Sequence, residues 1–268
     1  MSNILSGKVI AAHKSSVTGC SSGIGRAIAL ECAQQEAKLV LHYLGDPQSS
    51  KDMESLRDEL ANISNQNAKS PQTVEVAVDV TQPDAGNQIV KAAVSMFGAI
   101  NGIVHNAGTC QFEDFLDVTR PQLTNHMDVN FNGPFAITQA VIQQMIKQKS
   151  GGSIVCIASI SASMGSERLT HYASTKAAIL GLNASLAVAF GKQGIRFNCV
   201  SPGTIETSMN KQDLAGPKRL AMEGRVPLGR LGVPEDIAKP VVFFLSDMAQ
   251  YVSGQNLIVD GGSSVFYQ

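Results

Sequence analysis

Thr18-Gly19-Cys20-Ser21-Ser22-Gly23-Ile24-Gly25-Arg26-Ala27-Ile28-Ala29 is the stretch on which the fold turns. Glycines at 19, 23 and 25 let the backbone turn sharply and pass close to a bound group. The apolar residues after Gly25 open a helix, whose first amides and dipole suit a pyrophosphate. The spacing is GxxxGxG rather than the GxGxxG of the common dinucleotide fingerprint. A bare glycine pattern also fits a simple turn. Its place early in the chain and at the mouth of a helix favours a dinucleotide site.

Outward from this loop, short β-branched runs alternate with longer helical patterns. Strands are expected at 39–43, 73–80, 100–105, 153–157, 195–200 and 256–259, most of them nearly continuous apolar runs of the kind covered on both faces. The run 73–80 instead alternates, with Val74, Val76, Val78 and Val80 on one side. Helices are expected near 24–36, 48–62, 84–97, 120–148, 172–192 and 235–246. This βαβα order implies an α/β protein of Rossmann type, a doubly wound parallel sheet with helices on both faces. With no composition shift or long linker, residues 1–268 read as a single domain. The polar run 62–70 reads as a surface loop. The less regular segment 207–224 follows a strand end and reads as a mobile substrate lid.

The chain has 268 residues, 44% hydrophobic and 16% charged, enough for a core that needs no staples. A net charge of −1 without a Lys/Arg cluster gives no nucleic-acid footprint. Cys20, Cys32, Cys110, Cys156 and Cys199 form no CxxC pair and no His/Cys cluster of metal spacing. No metal is expected, and the five read as reduced thiols of an intracellular protein. Residues 1–8 contain no apolar core of signal-peptide length. The most apolar stretch, 177–190, is interrupted by Asn183 and is too short for a bilayer. The expectation is a cytoplasmic protein that acts on a small molecule.

Tyr172 and Lys176 stand four residues apart in Thr170-His171-Tyr172-Ala173-Ser174-Thr175-Lys176. On a helix both project from one face, placing an ammonium near a phenol. A free Tyr, with a pKa of about 10, is a poor base at neutral pH. A nearby positive charge would lower that value. The pair suits proton exchange with an alcohol or carbonyl, although the same spacing also describes a plain solvated helix face. The strand at 39–43 ends in His42 and Tyr43. An acid there would bond a ribose 2′-OH and disfavour a 2′-phosphate. The first acid is Asp46, a few residues on, so NADP(H) is favoured over NAD(H) unless Asp46 folds back.

The chain resembles the short-chain dehydrogenases/reductases over nearly its whole length. Thr18 to Gly25 is similar to their cofactor loop, Asp79-Val80 to their adenine-contacting pair, and Asn106-Ala107-Gly108 to their Asn-Ala-Gly motif. Asn130 falls at the position of the active-site Asn. Ser159 precedes Tyr172 by the family's spacing for the catalytic Ser. Pro202-Gly203-Thr204-Ile205-Glu206-Thr207 resembles the segment at the nicotinamide end. Pro227-Leu228-Gly229-Arg230 and Val259-Asp260-Gly261-Gly262 resemble C-terminal landmarks.

The resemblance implies catalytic roles for Asn130, Ser159, Tyr172 and Lys176. Ser159 would stabilise charge on the substrate oxygen, and Tyr172 would exchange the proton. Lys176 would lower the Tyr172 pKa and bind the ribose, and Asn130 would hold a water. Cofactor contacts are implied for Gly19, Ser21, Ser22, Gly23, Ile24, Gly25, His42, Tyr43, Asp79, Val80, Asn106, Ala107, Gly108, Tyr172, Lys176, Pro202, Gly203, Ile205 and Thr207. Rival readings stand beside these. Ser161 is close to Ser159, and Asn130 also suits a buried structural amide. His171 should point to another helix face, His105 reads as a structural histidine, and Cys110, Glu167 and Arg168 are candidates for the pocket wall.

Residues 221–230 and 246–254 are most similar to the sugar-oxidising branch of that family, the L-rhamnose 1-dehydrogenases. That implies oxidation of an aldose at C1 to a lactone. Reduction of a ketone or 3-oxoacyl substrate by NADPH is the alternative, and a non-catalytic NADP(H)-binding subunit a further one. Family members are often tetramers built on the helices near 120–148 and 172–192 and on the C-terminal strand, which implies a homotetramer. One departure stands out: Val9 is followed by Ile10-Ala11-Ala12-His13-Lys14-Ser15-Ser16-Val17 before Thr18, longer and more polar than a central buried strand allows. Either the first strand is shortened or bulged, or the extra residues protrude before it, or they are an artefact of the sequence. A distorted glycine loop would weaken cofactor binding.

Overall fold

The first half of the chain alternates strictly: β1 (Val9–Ala12), α1 (Gly23–Gln34), β2 (Lys38–Tyr43), α2 (Pro47–Gln66), β3 (Thr73–Ala77), α3 (Ala85–Phe97) and β4 (Gly102–His105). Then follow α4 (Arg120–Met127), α5 (Gly133–Gln148), β5 (Gly152–Ile157), α6 (Thr170–Phe190), β6 (Ile195–Pro202), α7 (Pro217–Glu223), α8 (Pro234–Leu245) and β7 (Asn256–Val259). The computed structural model describes residues 9–12, 20, 22–66, 72–208, 210, 214 and 216–266. The seven strands form one sheet in the order β3-β2-β1-β4-β5-β6-β7, with every neighbouring pair parallel.

Strand periodicity explains how one sheet feeds two cores, because consecutive side chains leave opposite faces. In β2, Leu39 and Leu41 pack with Ile28 of α1, Leu56 of α2 and Val241 of α8. Val40 between them packs with Ile89 of α3, Val141 of α5 and Phe197. In β4 and β5, Val104 and Val155 take the first side and Ile103 and Ile154 the second. Both faces are covered, so these strands must be apolar throughout. Each fully buried aliphatic side chain contributes roughly 1.5–3 kcal/mol relative to exposure.

The strand order reverses between β1 and β4. At such a switch point the loops leaving the carboxyl ends of the strands diverge and open a crevice. The site sits there.

The structure corrects several sequence-based boundaries. Among the described residues the first strand is Val9–Ala12, all four paired with β2 and Ile10, Ala11 and Ala12 also with β4. The rest of the extra segment, 13–19, lies outside the described residues. The strand expected at 73–80 ends at Ala77. Beyond it Asp79 Oδ1 accepts the Thr81 N–H at 2.9 Å and turns the chain, while Val78 and Val80 stay buried. The polar run at 62–70 is helical as far as Gln66, as the end of α2. The single helix expected over 120–148 is α4 and α5 joined by a π-helical turn, Asp128–Asn132. Gly133 closes that turn, and a Cβ there would lie 2.7 Å from the Val80 carbonyl.

His105 is the structural histidine expected. It is buried, its Nε2 lies 2.8 Å from Thr138 Oγ1, and burial, then His42, push it down to about 3. With its extension to Gln193, α6 is by length and composition long and apolar enough to cross a membrane, longer than the stretch 177–190 suggested. Here it packs on β6 and the turn Ile160–Ala162, with Lys176 and Asn183 on its buried face.

Candidate active site

The crevice is a cavity of about 1620 Å³. A single drug-sized ligand occupies roughly 300–1,000 Å³, so there is room for a dinucleotide and a second small molecule. Ser159, Tyr172 and Lys176 share its wall. Each arrives for a local reason. Ser159 follows β5 and caps the short turn Ile160–Ala162, its Oγ accepting the Ser161 N–H at 3.1 Å. Tyr172 and Lys176 lie one turn apart at the start of α6, so both face the crevice.

Lys176 is buried, and its Nζ donates to the Ile157 carbonyl at 2.8 Å. It stands 5.6 Å from the centre of the Tyr172 ring. Burial lowers the lysine to about 8, against opposing contributions from Cys156, Cys110 and Cys199. Tyr172 is not acidified as expected. Burial, then Cys110, push the phenol above its ordinary value, and only the hydrogen bond with Ser159 pulls it down. The cause is that the phenol itself is buried, which disfavours its charged form. As it stands, the phenol is a proton donor at neutral pH.

Asn130 is 1% exposed on the π-helical turn. Its Oδ1 accepts the Thr109 N–H at 2.7 Å, and its Nδ2 donates to the Thr109 carbonyl and to Thr175 Oγ1, each at 3.0 Å. Both amide protons are therefore used within the chain. The side chain ties the loop after β4 to α6. A Cβ on Gly108 in the same loop would press on Asn130 Oδ1 at 3.2 Å and touch Lys176 Nζ at 3.5 Å.

The residues present fit a dinucleotide. Among the described residues no side chain caps the first turn of α1, and Ser22 Oγ beside it is buried without a partner. Uncapped amides at a helix N-terminus are where a phosphate binds. Gly23 takes φ +56°, a conformation that favours glycine. The loop is anchored from behind by Cys20 Sγ donating to the His42 carbonyl at 3.1 Å. Ile24, Asn106, Gly108, Pro202, Gly203, Ile205 and Thr207 line the cavity. Gly19 and Ser21 lie outside the described residues. Asp46 does not fold back towards a ribose, since its Oδ1 accepts the Ser49 N–H at 2.6 Å at the start of α2.

The other residues expected to contact the cofactor are not among those lining this cavity. Gly25 is buried inside α1, His42 is buried within β2, and Val80 and Ala107 belong to the second core. Tyr43 is half-buried against the first core, and Asp79 is occupied with Thr81. Cys110 and Ser161 line the cavity, with Ser161 Oγ 2.9 Å from Ser159 Oγ. Glu167 and Arg168 are not on its wall, and Arg168 pairs with Asp114 at 3.0 Å. His171 points away, edge-on to His126 with ring centres 4.3 Å apart. Glu113 and Gln122, also on the cavity wall, escaped the sequence reading. Their one signal was Thr119-Arg120-Pro121-Gln122, a capping box that fixes Gln122 at the start of α4.

Residues 19–264 match the family model described as Enoyl-(Acyl carrier protein) reductase. The chain belongs to the short-chain dehydrogenases/reductases, and it is an NAD(P)-dependent oxidoreductase. It is 46% identical to an L-rhamnose-1-dehydrogenase of Scheffersomyces stipitis, with 100% of both chains covered. It is 45% identical to an L-rhamnose 1-dehydrogenase (NAD(P)(+)) of Azotobacter vinelandii, covering 94% of this chain and 96% of that one. A 3-oxoacyl-[acyl-carrier-protein] reductase of Staphylococcus epidermidis is more distant, at 34% over 92% and 96% of the two chains. Among solved structures, a putative 2-deoxy-D-gluconate 3-dehydrogenase of Agrobacterium tumefaciens with bound NADP superposes with a TM-score of 0.86, at 28% identity over 99% of both chains.

Proposed function

We propose that this chain oxidises an aldose, L-rhamnose or a near stereochemical relative, at C1 to the lactone, with NADP+ preferred to NAD+. The supporting observation is that Ser159, Tyr172 and Lys176 converge on one wall of a large cavity in a chain alike over its full length to an L-rhamnose-1-dehydrogenase. Ser159 donates a hydrogen bond to the C1 oxygen. Tyr172, as phenolate, takes the C1 hydroxyl proton. Lys176 supplies the positive charge that stabilises the phenolate. A bound nicotinamide would supply the hydride acceptor for C1. Asn130 holds the loop after β4 against α6, keeping Lys176 and Gly108 in place. Ser22, Gly23 and Ile24 hold the pyrophosphate end, and Asn106, Gly108, Pro202, Gly203, Ile205 and Thr207 the nicotinamide half. With Asp46 committed to capping α2, no acid after β2 opposes a 2′-phosphate.

Residues 1–268 form one catalytic domain, and 207–224, of which 209, 211–213 and 215 lie outside the described residues, act as the lid. Arg219 of α7 forks onto Glu206 at 2.6 and 2.9 Å, and Lys218 lies over Phe112 with its Nζ 5.2 Å from the ring centre. Both contacts draw α7 across the cavity mouth. The working form is a cytoplasmic homotetramer. It is supported by α6, apolar around its circumference but buried on one face only, with Val188 86% exposed.

Initial rates by absorbance at 340 nm test the activity. L-rhamnose is expected to reduce NADP+ with a higher kcat/KM than NAD+. Turnover confined to reduction of 3-oxoacyl substrates would overturn the reading.

A further inference from the structure

We infer that Glu113, oriented by Gln122, is the residue that selects a polyhydroxylated substrate by accepting hydrogen bonds from hydroxyls remote from the reacting carbon. This inference rests on the aldose reading above. Glu113 is the sole acid among the described residues of the cavity wall, and it forms no ion pair among them. Its Oε2 accepts from Gln122 Nε2 at 3.4 Å and its Oε1 from the Asp114 N–H at 3.2 Å. An ionised carboxylate has about four lone-pair sites, so two are left over.

The carboxylate is held in place from both sides. Gln122 Oε1 accepts from both the N–H and the hydroxyl of Thr119, each at 2.8 Å. That fixes which end of the amide is the donor and leaves one Nε2 proton after Glu113 is served. The Glu113 N–H donates to the Arg168 carbonyl at 3.0 Å, joining its loop to the segment that leads into Tyr172.

A fixed carboxylate beside a spare amide proton matches a vicinal diol: two hydroxyls donate to the carboxylate, and a hydroxyl oxygen accepts from the amide. An acyl chain offers no donor and would leave the carboxylate desolvated and unpaired, which disfavours it.

The test compares wild type with Glu113→Gln on L-rhamnose and on analogues each lacking one hydroxyl. The expected result is a KM for L-rhamnose raised at least tenfold in Glu113→Gln, with kcat little changed. One deoxy analogue should lose at least tenfold in kcat/KM with wild type and almost nothing further with the variant. Asp114→Asn breaks the exposed bridge to Arg168 next door and serves as the structural control, expected to keep the wild-type KM. An unchanged KM in Glu113→Gln, an equal rise in Asp114→Asn, or the same deoxy penalty in both enzymes would overturn the inference while aldose oxidation stands. A wild type that oxidises no aldose would overturn the aldose reading and this inference with it.

Discussion

Tyr172→Phe is expected to lower kcat for aldose oxidation by a factor of about 10²–10⁴, the usual worth of a positioned acid–base group. The substitution removes only the hydroxyl. The ring keeps its place beside Lys176 Nζ, 5.6 Å from the ring centre. The lysine keeps its bond to the Ile157 carbonyl. Cofactor affinity, read by NADPH fluorescence titration, is therefore expected to stay near wild type. Ser159 loses one neighbour but keeps its bond with Ser161. Turnover near the wild-type rate would show that another group moves the proton. Ser161, whose Oγ touches that of Ser159, would then be the first to examine.

Asn130→Ala is expected to cost roughly 2–5 kcal/mol of stability, since each buried partner left unsatisfied costs about 1–3 kcal/mol. The orphaned groups are the Thr109 N–H, the Thr109 carbonyl and the Thr175 hydroxyl. Thr175 retains its bond to the Tyr172 carbonyl at 2.7 Å, which moderates the loss. The loop carrying Asn106 and Gly108 loosens from α6, so KM for the cofactor is expected to rise together with a fall in kcat. Denaturant midpoints and initial rates measure both. A variant as stable as wild type but inactive would assign Asn130 a purely chemical role and remove the tie described here.

Why some of this was legible in the sequence follows from which interactions are local. The buried parallel strands declared themselves, because covering by helices on both faces forces runs such as Leu39-Val40-Leu41 and Ile154-Val155. Tyr172 and Lys176 were legible because a helix turn sets their relation without help from the rest of the chain. The π-helical turn at 128–132 was not. It depends on Gly133 passing close under the Val80 carbonyl, a contact made across more than fifty residues. The direction of the Tyr172 shift was missed for a similar reason. A sequence shows a lysine nearby, but not how little water reaches the phenol. Glu113 went unseen because its neighbours, Gln122 and the Arg168 carbonyl, are supplied by other segments.

The site's chemistry comes to one requirement: sugar oxidation needs Tyr172 without its proton and Lys176 with one. Burial holds the phenol above its ordinary value and the lysine near 8. The first proton lost therefore leaves near that value and belongs to the pair. Within the singly deprotonated pair, the form with the proton on Lys176 is the one that accepts from C1. The most direct measurement is the pH profile of kcat for L-rhamnose oxidation at saturating NADP+, from pH 6 to 10. The expected result is a rate that rises through neutral pH and levels above about 8, and that is lost at every pH in Tyr172→Phe. A profile that is flat or falls with pH would contradict proton transfer to Tyr172.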